Sequence, residues 1–359
     1  MTPGSPLAEG STGPAPEAAP GLSGGLAPRN VLVTGASGLL GGAVAGLLAG
    51  RGHKVRTFQR RAGSPGTDFV AGSVSDPEAA ARAVDGMDAV IHLAAKVSFT
   101  GEWREFEDTN ILGTQVLLKA ARSAGVRDVV FVSSPSVAHF GEPIAGAGAG
   151  KADPERARGF YAASKAEAEL LALAQNSADF RVAAIRPHIV WGPGDTQLVE
   201  RVIDRARSGR LPLLDAGAAL IDTTYIDNAA AAIVRGLERM DAARGKALVV
   251  TNGQPRPVGE LIAGICAAAG VPAPGWSVPG RAARKAGSLI ERVWLAAGRR
   301  GLVHDEPPMT RFLAEQLSTS HWFDQRETRE VLDWTPEVSI EDGMARLARH
   351  YGGTAPSRP

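Results

Sequence analysis

Tyr161 and Lys165 stand four residues apart in the run Tyr161-Ala-Ala-Ser-Lys165. On a helix, positions i and i+4 share one face, so the phenol and the ammonium would sit side by side. A nearby cation stabilises a phenolate and is expected to lower the tyrosine pKa from its free value of about 10. A phenol tuned towards neutrality can give a proton to a carbonyl oxygen or take one from an alcohol. Ordinary surface helix pairs share this spacing, so the pair needs support from its neighbours. The stretch Val129-Val-Phe-Val-Ser-Ser-Pro-Ser-Val137 supplies some, because an apolar run there ends in hydroxyls. Ser134 is the candidate to hold a substrate oxygen against Tyr161. Ser133 and Ser136 compete for that place, and turn or cap bonds to backbone would occupy at least two of the three.

A second constellation is the GxxGxxG stretch Thr34-Gly35-Ala36-Ser37-Gly38-Leu39-Leu40-Gly41. Gly35 would permit a tight turn out of a strand, Gly38 a close approach of backbone to a pyrophosphate, and Gly41 close packing of helix on sheet. Free N–H groups at the helix N-terminus favour phosphate charge. The stretch follows a strand-like run and opens a helix-like one, so it reads as a dinucleotide site that includes Ser37, Leu39 and Leu40. Past the next strand stand Gln59-Arg60-Arg61. This segment offers no carboxylate to a ribose 2′-hydroxyl, whereas Arg60 and Arg61 offer guanidinium groups that match a 2′-phosphate. NADP(H) is therefore expected in preference to NAD(H).

These side chains need a scaffold. Asn30–Thr34 reads as a buried strand, residues 43–49 as a helix ended by Gly50 and Gly52, and residues 54–58 as a second strand. Strand-like runs recur at 88–93, 128–132 and 181–186, with helix-like runs at 106–124, 161–175 and 227–235. Such alternation builds an α/β fold of Rossmann type, a doubly wound parallel sheet with helices on both faces. Residues 143–152 read as a flexible loop. The rhythm weakens after Pro187. The expected organisation is a tail at 1–28 and a nucleotide-binding domain at 29–195, to which 221–252 return. A smaller, partly helical substrate lobe would comprise 196–220 and 253–355.

Bulk properties narrow the classes. The chain of 359 residues has 44% hydrophobic and 21% charged residues and a net charge of +1, so no general field recruits nucleic acid. Its single cysteine, Cys266, cannot form an intrachain disulfide and reads as a small core residue. No Cys/His cluster has metal-ligand spacing, so no metal is expected, and the setting is read as cytoplasmic. Residues 1–28 carry six Pro and six Gly and precede any Lys or Arg, unlike a signal peptide.

TGASGLLG, DAVIHLAA, NILGTQVLL, VFVSSPSV, YAASK, RPHIVWGPGD and YIDNAAAA occur in one order. Over residues 30–235 the chain resembles the extended short-chain dehydrogenase/reductases, which include sugar-nucleotide epimerases and 3β-hydroxysteroid dehydrogenases. The resemblance implies catalysis by Ser134, Tyr161 and Lys165, with Lys165 also bonding the nicotinamide ribose. It further implies cofactor contacts at Leu93, Ala94, Ala95 and Lys96, and nicotinamide contacts at Pro187, His188 and Ile189. Asn110 would be structural or adjacent to the site. The chain departs at Gly72-Ser73, where the family often has Gly-Asp, with Asp76 further on. Family members often form homodimers, so a homodimer is one option here, while the sequence itself leaves the oligomeric state open.

The carboxy-terminal third, with residues 307–313, 317–324 and 331–336, resembles the 3β-hydroxysteroid and sterol-4-carboxylate dehydrogenase branch. Within it the chain looks most like the 2-alkyl-3-oxoalkanoate reductases of bacterial olefin and β-lactone biosynthesis. That resemblance implies NADPH-dependent reduction of a hydrophobic β-keto acid to the 3-hydroxy acid. A 3β-hydroxysteroid or sterol dehydrogenase, and a nucleotide-sugar epimerase or dehydratase, are the alternatives. Residues 281–300 hold six basic residues and one acid among Leu289, Ile290, Val293, Trp294 and Leu295. Such a helix suits a membrane surface or a lipid-handling partner, or else packs its apolar stripe on the lobe. His321, beside Trp322, is either a carboxylate contact or a packed histidine.

Overall fold

The computed structural model describes residues 27–61, 68–98, 100–299 and 311–353. Residues 1–26 of the expected tail, residues 307–310 of the carboxy-terminal resemblance, and residue 300 lie outside the described residues.

Seven parallel strands form the main sheet. From one edge they run Ala247–Val250, Arg181–Pro187, Asp128–Val132, Ala89–His92, Asn30–Thr34, Lys54–Gln59 and Asp68–Ala71. The apolar runs Val31–Val33 and Val129–Val130 are fully buried, as expected for strands covered on both faces. On one face, helices Leu39–Gly50 and Ile226–Glu238 bring Val44, Leu48, Ile233 and Leu237 onto Val31, Val33 and Ile91. On the other, helices Pro77–Val84, Gly113–Ser123 and Gly159–Ala174 bring Ala80, Leu117 and Ala172 onto Leu32, Val90 and Phe131. The order reverses between Asn30–Thr34 and Ala89–His92. This switch point opens the crevice at the carboxyl ends of the strands where ligands bind in such sheets.

Element bounds differ from expectation in two informative places. The first helix begins at Leu39, inside the glycine stretch, because Gly38 serves as its extended N-cap. The helix expected over 106–124 contains a wide π turn at Glu107–Leu112, between Trp103–Phe106 and Gly113–Ser123. Such turns concentrate at functional sites.

The expected loop at 143–152 is a correction. Ile144–Ala147 is a strand, paired in parallel with His321–Phe323 in a four-stranded sheet that also holds Leu220–Ile221 and Arg256–Pro257. Its one glycine has a packing role: a Cβ on Gly146, which sits at φ 69, would lie 2.8 Å from the Trp322 ring. The partner strand is far away in the chain, so local pattern carried no sign of the pairing. A second apolar core joins Trp191, Val202, Ile262, Ile265, Met344 and the buried Cys266.

One buried ion pair ties the sheet to the helix that carries Tyr161. Arg186 donates from Nε to Glu169 Oε2 at 2.8 Å and from Nη2 to Glu169 Oε1 at 2.5 Å. Its Nη1 donates to the carbonyls of Ala149 and Gly150. Both side chains are buried, so deleting one partner strands a charge. Glu169→Ala is expected to lower unfolding free energy by about 3–5 kcal/mol. Glu169→Leu combined with Arg186→Met should recover part of that loss. Urea unfolding of the three proteins checks this, and a Glu169→Ala midpoint equal to wild type would contradict it.

Candidate functional site

Gly35 turns the chain out of the first strand at φ 71, and its N–H donates to Phe58 O at 3.1 Å. A Cβ on Gly35 would lie 2.9 Å from Ala94 Cα, and one on Gly41 would lie 2.3 Å from Gly35 O. The loop is thus held against residue 94 and the helix start against the loop, leaving first-turn N–H groups facing the crevice. This cradle fits a dinucleotide pyrophosphate. Ser37, Gly38 and Leu39 are exposed on the loop, whereas Leu40 turns inward and packs on both cores. Arg60 and Arg61 are exposed just past the strand end that Gly35 bonds. Asp76 caps the helix Pro77–Val84, accepting from the N–H groups of Glu78 and Ala79.

A run of buried hydrogen bonds joins the glycine loop to the helix of Tyr161. Thr34 Oγ1 accepts from the N–H groups of Leu93 at 3.1 Å and Ala94 at 3.0 Å. Its own proton therefore goes to His92 Nδ1 at 2.7 Å, which leaves His92 Nε2 to donate to Thr114 Oγ1 at 3.1 Å. Thr114 donates to Asn110 O at 2.6 Å. Asn110 accepts from Lys96 N at 2.7 Å and donates from Nδ2 to Lys96 O at 3.2 Å and Ser164 Oγ at 2.9 Å. Ser164 donates to Tyr161 O at 3.0 Å. Burial holds His92 down to about 3, so it is the neutral tautomer that this run requires. Residues 93–96 are fixed by backbone bonds, while the Lys96 ammonium turns to Glu105 at 3.3 Å. Asn110 is a structural neighbour of the site.

The three serines separate. Ser134 Oγ accepts from Ser136 N at 3.3 Å and Ser136 Oγ at 2.9 Å, which leaves its own proton for another oxygen. It lies close enough to Tyr161 to pull the phenol pKa downward. Ser134 and Ser136 line a cavity with Tyr161. Ser133 is buried, and its hydroxyl finds no partner among the described residues.

Lys165 corrects the expectation about Tyr161. Its ammonium donates to Val132 O at 2.8 Å and lies 4.1 Å from the Phe131 ring centroid. Burial holds Lys165 down to about 7, opposed by Glu169. Burial raises the Tyr161 pKa above the ordinary tyrosine value, and Lys165 does not offset it. A shared helix face was a sound inference from spacing, but the strand-end carbonyl captures the cation.

The cavity, of about 330 Å³, runs from Ser134 and Tyr161 into the second lobe. Its far walls are Leu198, Val202, Leu211, Val258, Leu261, Ile265, Leu317 and Met344. Pro187 ends its strand buried, and His188 and Ile189 line the cavity where the chain leaves the sheet. The His188 ring lies edge-on to His321 at 4.9 Å and to Phe323 at 5.0 Å, and burial keeps it well below the ordinary histidine value. His321 is a packed histidine whose Nε2 donates to Gln316 O at 2.8 Å. Sequence reasoning missed His139, Gln197, Arg201, Arg205 and Gln316, polar groups in a mainly apolar wall. The i, i+4 spacing of Arg201 and Arg205 was the available signal. Among the described residues no group of His, Cys, Asp and Glu could hold a metal ion.

A family model described as the NAD dependent epimerase/dehydratase family matches residues 31–251. The chain is 41% identical to a 2-alkyl-3-oxoalkanoate reductase of Stenotrophomonas maltophilia, over 88% of this chain and 98% of that protein. It is 34% identical to a protein of the same name from Shewanella oneidensis, over 89% of this chain and 85% of that protein. Among solved structures, MoeE5 in complex with UDP-glucuronic acid and NAD is similar at a TM-score of 0.65 and 25% identity, over 89% of this chain and 98% of that one. With this match, the glycine cradle and the seven-stranded sheet, the chain belongs to the NAD dependent epimerase/dehydratase family, the extended short-chain dehydrogenase/reductases, and is an oxidoreductase acting between CH–OH and C=O.

Proposed function

We propose that the protein is an NADPH-dependent ketone reductase that converts hydrophobic 2-alkyl-3-oxoalkanoates to 3-hydroxy acids. The observation that carries this reading is the single cavity with Ser134 and Tyr161 at one end and aliphatic walls beyond. Burying alkyl chains on such walls is worth about 0.8 kcal/mol per methylene, whereas the hydroxyls of a sugar would face mostly aliphatic side chains there. The names of the two curated relatives support the same substrate class.

The glycine cradle and residues 93–96 would hold the dinucleotide, which supplies a hydride to the ketone carbon when bound. Ser134, whose oxygen already accepts from Ser136, would donate its hydroxyl proton to the ketone oxygen and hold it beside Tyr161. Tyr161 would then give that oxygen its proton as negative charge develops there. Burial keeps the phenol protonated, the form that a reduction needs at its start. Lys165, anchored at Val132 O, would place its cation near the ribose and the phenolate left by proton transfer. Arg60 and Arg61, exposed beside the loop, would receive a 2′-phosphate.

Oxidation of NADPH and NADH should be followed against 2-alkyl-3-oxo acids of increasing chain length, 3-ketosteroids and sugar nucleotides. The expected result is NADPH turnover with the oxo acids, and kcat/KM rising with chain length. Turnover confined to steroids or to sugar nucleotides would replace the substrate assignment. Tyr161→Phe should lower kcat by about 10²–10⁴-fold while the protein still binds NADPH by fluorescence titration. Near-normal kcat in that variant would remove Tyr161 as the proton donor. Arg60→Ala with Arg61→Ala should raise the KM for NADPH by about tenfold or more and leave that for NADH nearly unchanged. Equal effects on both cofactors would refute the role of these arginines.

A further inference from the structure

We propose that the outward face of helix Gly280–Arg299 is a docking surface for an anionic lipid bilayer. The inward face is accounted for by packing. Ala283 joins Leu214 and Ala314 in a small core, and Gly287 is buried. Ile290 and Trp294 follow at helical spacing and are half-buried. That contact leaves a second apolar set facing outward. Leu289 is 62% exposed and Val293 is 56% exposed, one helical turn apart. Arg281 and Lys285, also exposed, continue the same i, i+4 row towards the amino end. Trp276, 50% exposed, stands just ahead of the helix.

Two exposed aliphatic side chains in line with two exposed cations fit the boundary between headgroups and acyl chains. The charge complementarity is local. Residues 281–300 carry six basic residues and one acid, while the whole chain has a net charge of +1. Among the described residues no helix is long and apolar enough to cross a membrane, so this helix would lie on the surface. Its position has a consequence for substrate. It packs against helix Arg311–Ser318, which contributes Gln316 and Leu317 to the cavity wall. A bilayer docked there would lie one helix from the apolar cavity, and a long-chain substrate dissolved in lipid would have a short path to it.

The test is sedimentation of the full-length protein with sucrose-loaded vesicles, of phosphatidylcholine alone or of phosphatidylcholine and phosphatidylglycerol in equal parts. The protein should sediment with the anionic vesicles and be released as salt is raised. Leu289→Ser with Val293→Ser, and separately Arg281→Ser with Lys285→Ser, should each lower the partition coefficient at least about tenfold, with unchanged thermal midpoints. A protein that stays in the supernatant at low salt overturns the proposal, as do double variants that sediment like wild type. It is equally overturned if Leu289→Ser with Val293→Ser converts a salt-insensitive dimer into a monomer, since a second copy would then be the occupant. Sedimentation reads no catalysis, so its outcome is independent of the reductase reading.

Discussion

Thr34 Oγ1 takes the amides of Leu93 and Ala94 and gives its own proton to His92. Those three bonds fasten together the carboxyl ends of two neighbouring strands at the point where the strand order reverses. The consequences run outward in both directions. Towards the nucleotide end, residue 94 is fixed where only a glycine at 35 leaves room for it. Towards the chemical end, the tautomer forced on His92 dictates the bond to Thr114, and Asn110 then clamps both backbone groups of Lys96 and reaches Ser164. The side chains of Thr34, His92, Asn110, Thr114 and Ser164 are all buried, and a group that loses its partner there carries a desolvation penalty of about 1–3 kcal/mol. The run therefore behaves as one rigid strut with the carbonyl of Tyr161 at its far end.

The acid–base groups beside that strut are held in unequal states. Burial acts on Tyr161 and Lys165 in the same sense, against charge, and so raises the phenol and lowers the ammonium. Val132 O and the Phe131 face draw the ammonium towards the strand end, while Ser134 keeps a proton directed towards the phenol. Two neutralising tendencies in one buried place are what the proposed reduction would need, since its donor must start protonated.

Much of this was legible in the sequence, for reasons that differ by element. Asn30–Thr34 and Asp128–Val132 are short β-branched runs whose period and length suffice for a buried strand, and the GxxGxxG spacing specifies a turn geometry that few other residues allow. Strand ends and helix faces follow local rules, and by those rules Ser134, at a strand end, and Tyr161, on a helix, could be expected on one cavity wall. What the rules missed was reach. Spacing puts Lys165 beside Tyr161, yet four methylenes let its charge settle on a carbonyl contributed by another element. Ile144–Ala147 failed for a related reason: alternating Ala and Gly is loop-like alone, and here it pairs with a distant strand whose Trp322 ring packs on Gly146.

The second lobe shows where periodicity stops informing. On helix Val199–Arg207, Val199 and Ile203 are core residues and Val202 is both core and cavity wall, yet all obey one helical pattern. Period reports that a residue is hidden from water. It does not report whether the space opposite is filled by side chains or left open for a ligand. The polar exceptions are therefore the informative ones. Arg201 and Arg205 line the same cavity as aliphatic neighbours, a placement too costly to be incidental packing unless their charges meet partners or solvent there. Helix Gly280–Arg299 poses the converse case. Its apolar residues divide by exposure, Ile290 and Trp294 half-buried and Leu289 and Val293 exposed, so the pattern that indicated one apolar face holds two. Amphipathicity read as a single direction could not separate them, because only the position of the neighbouring helix decides which side is already taken.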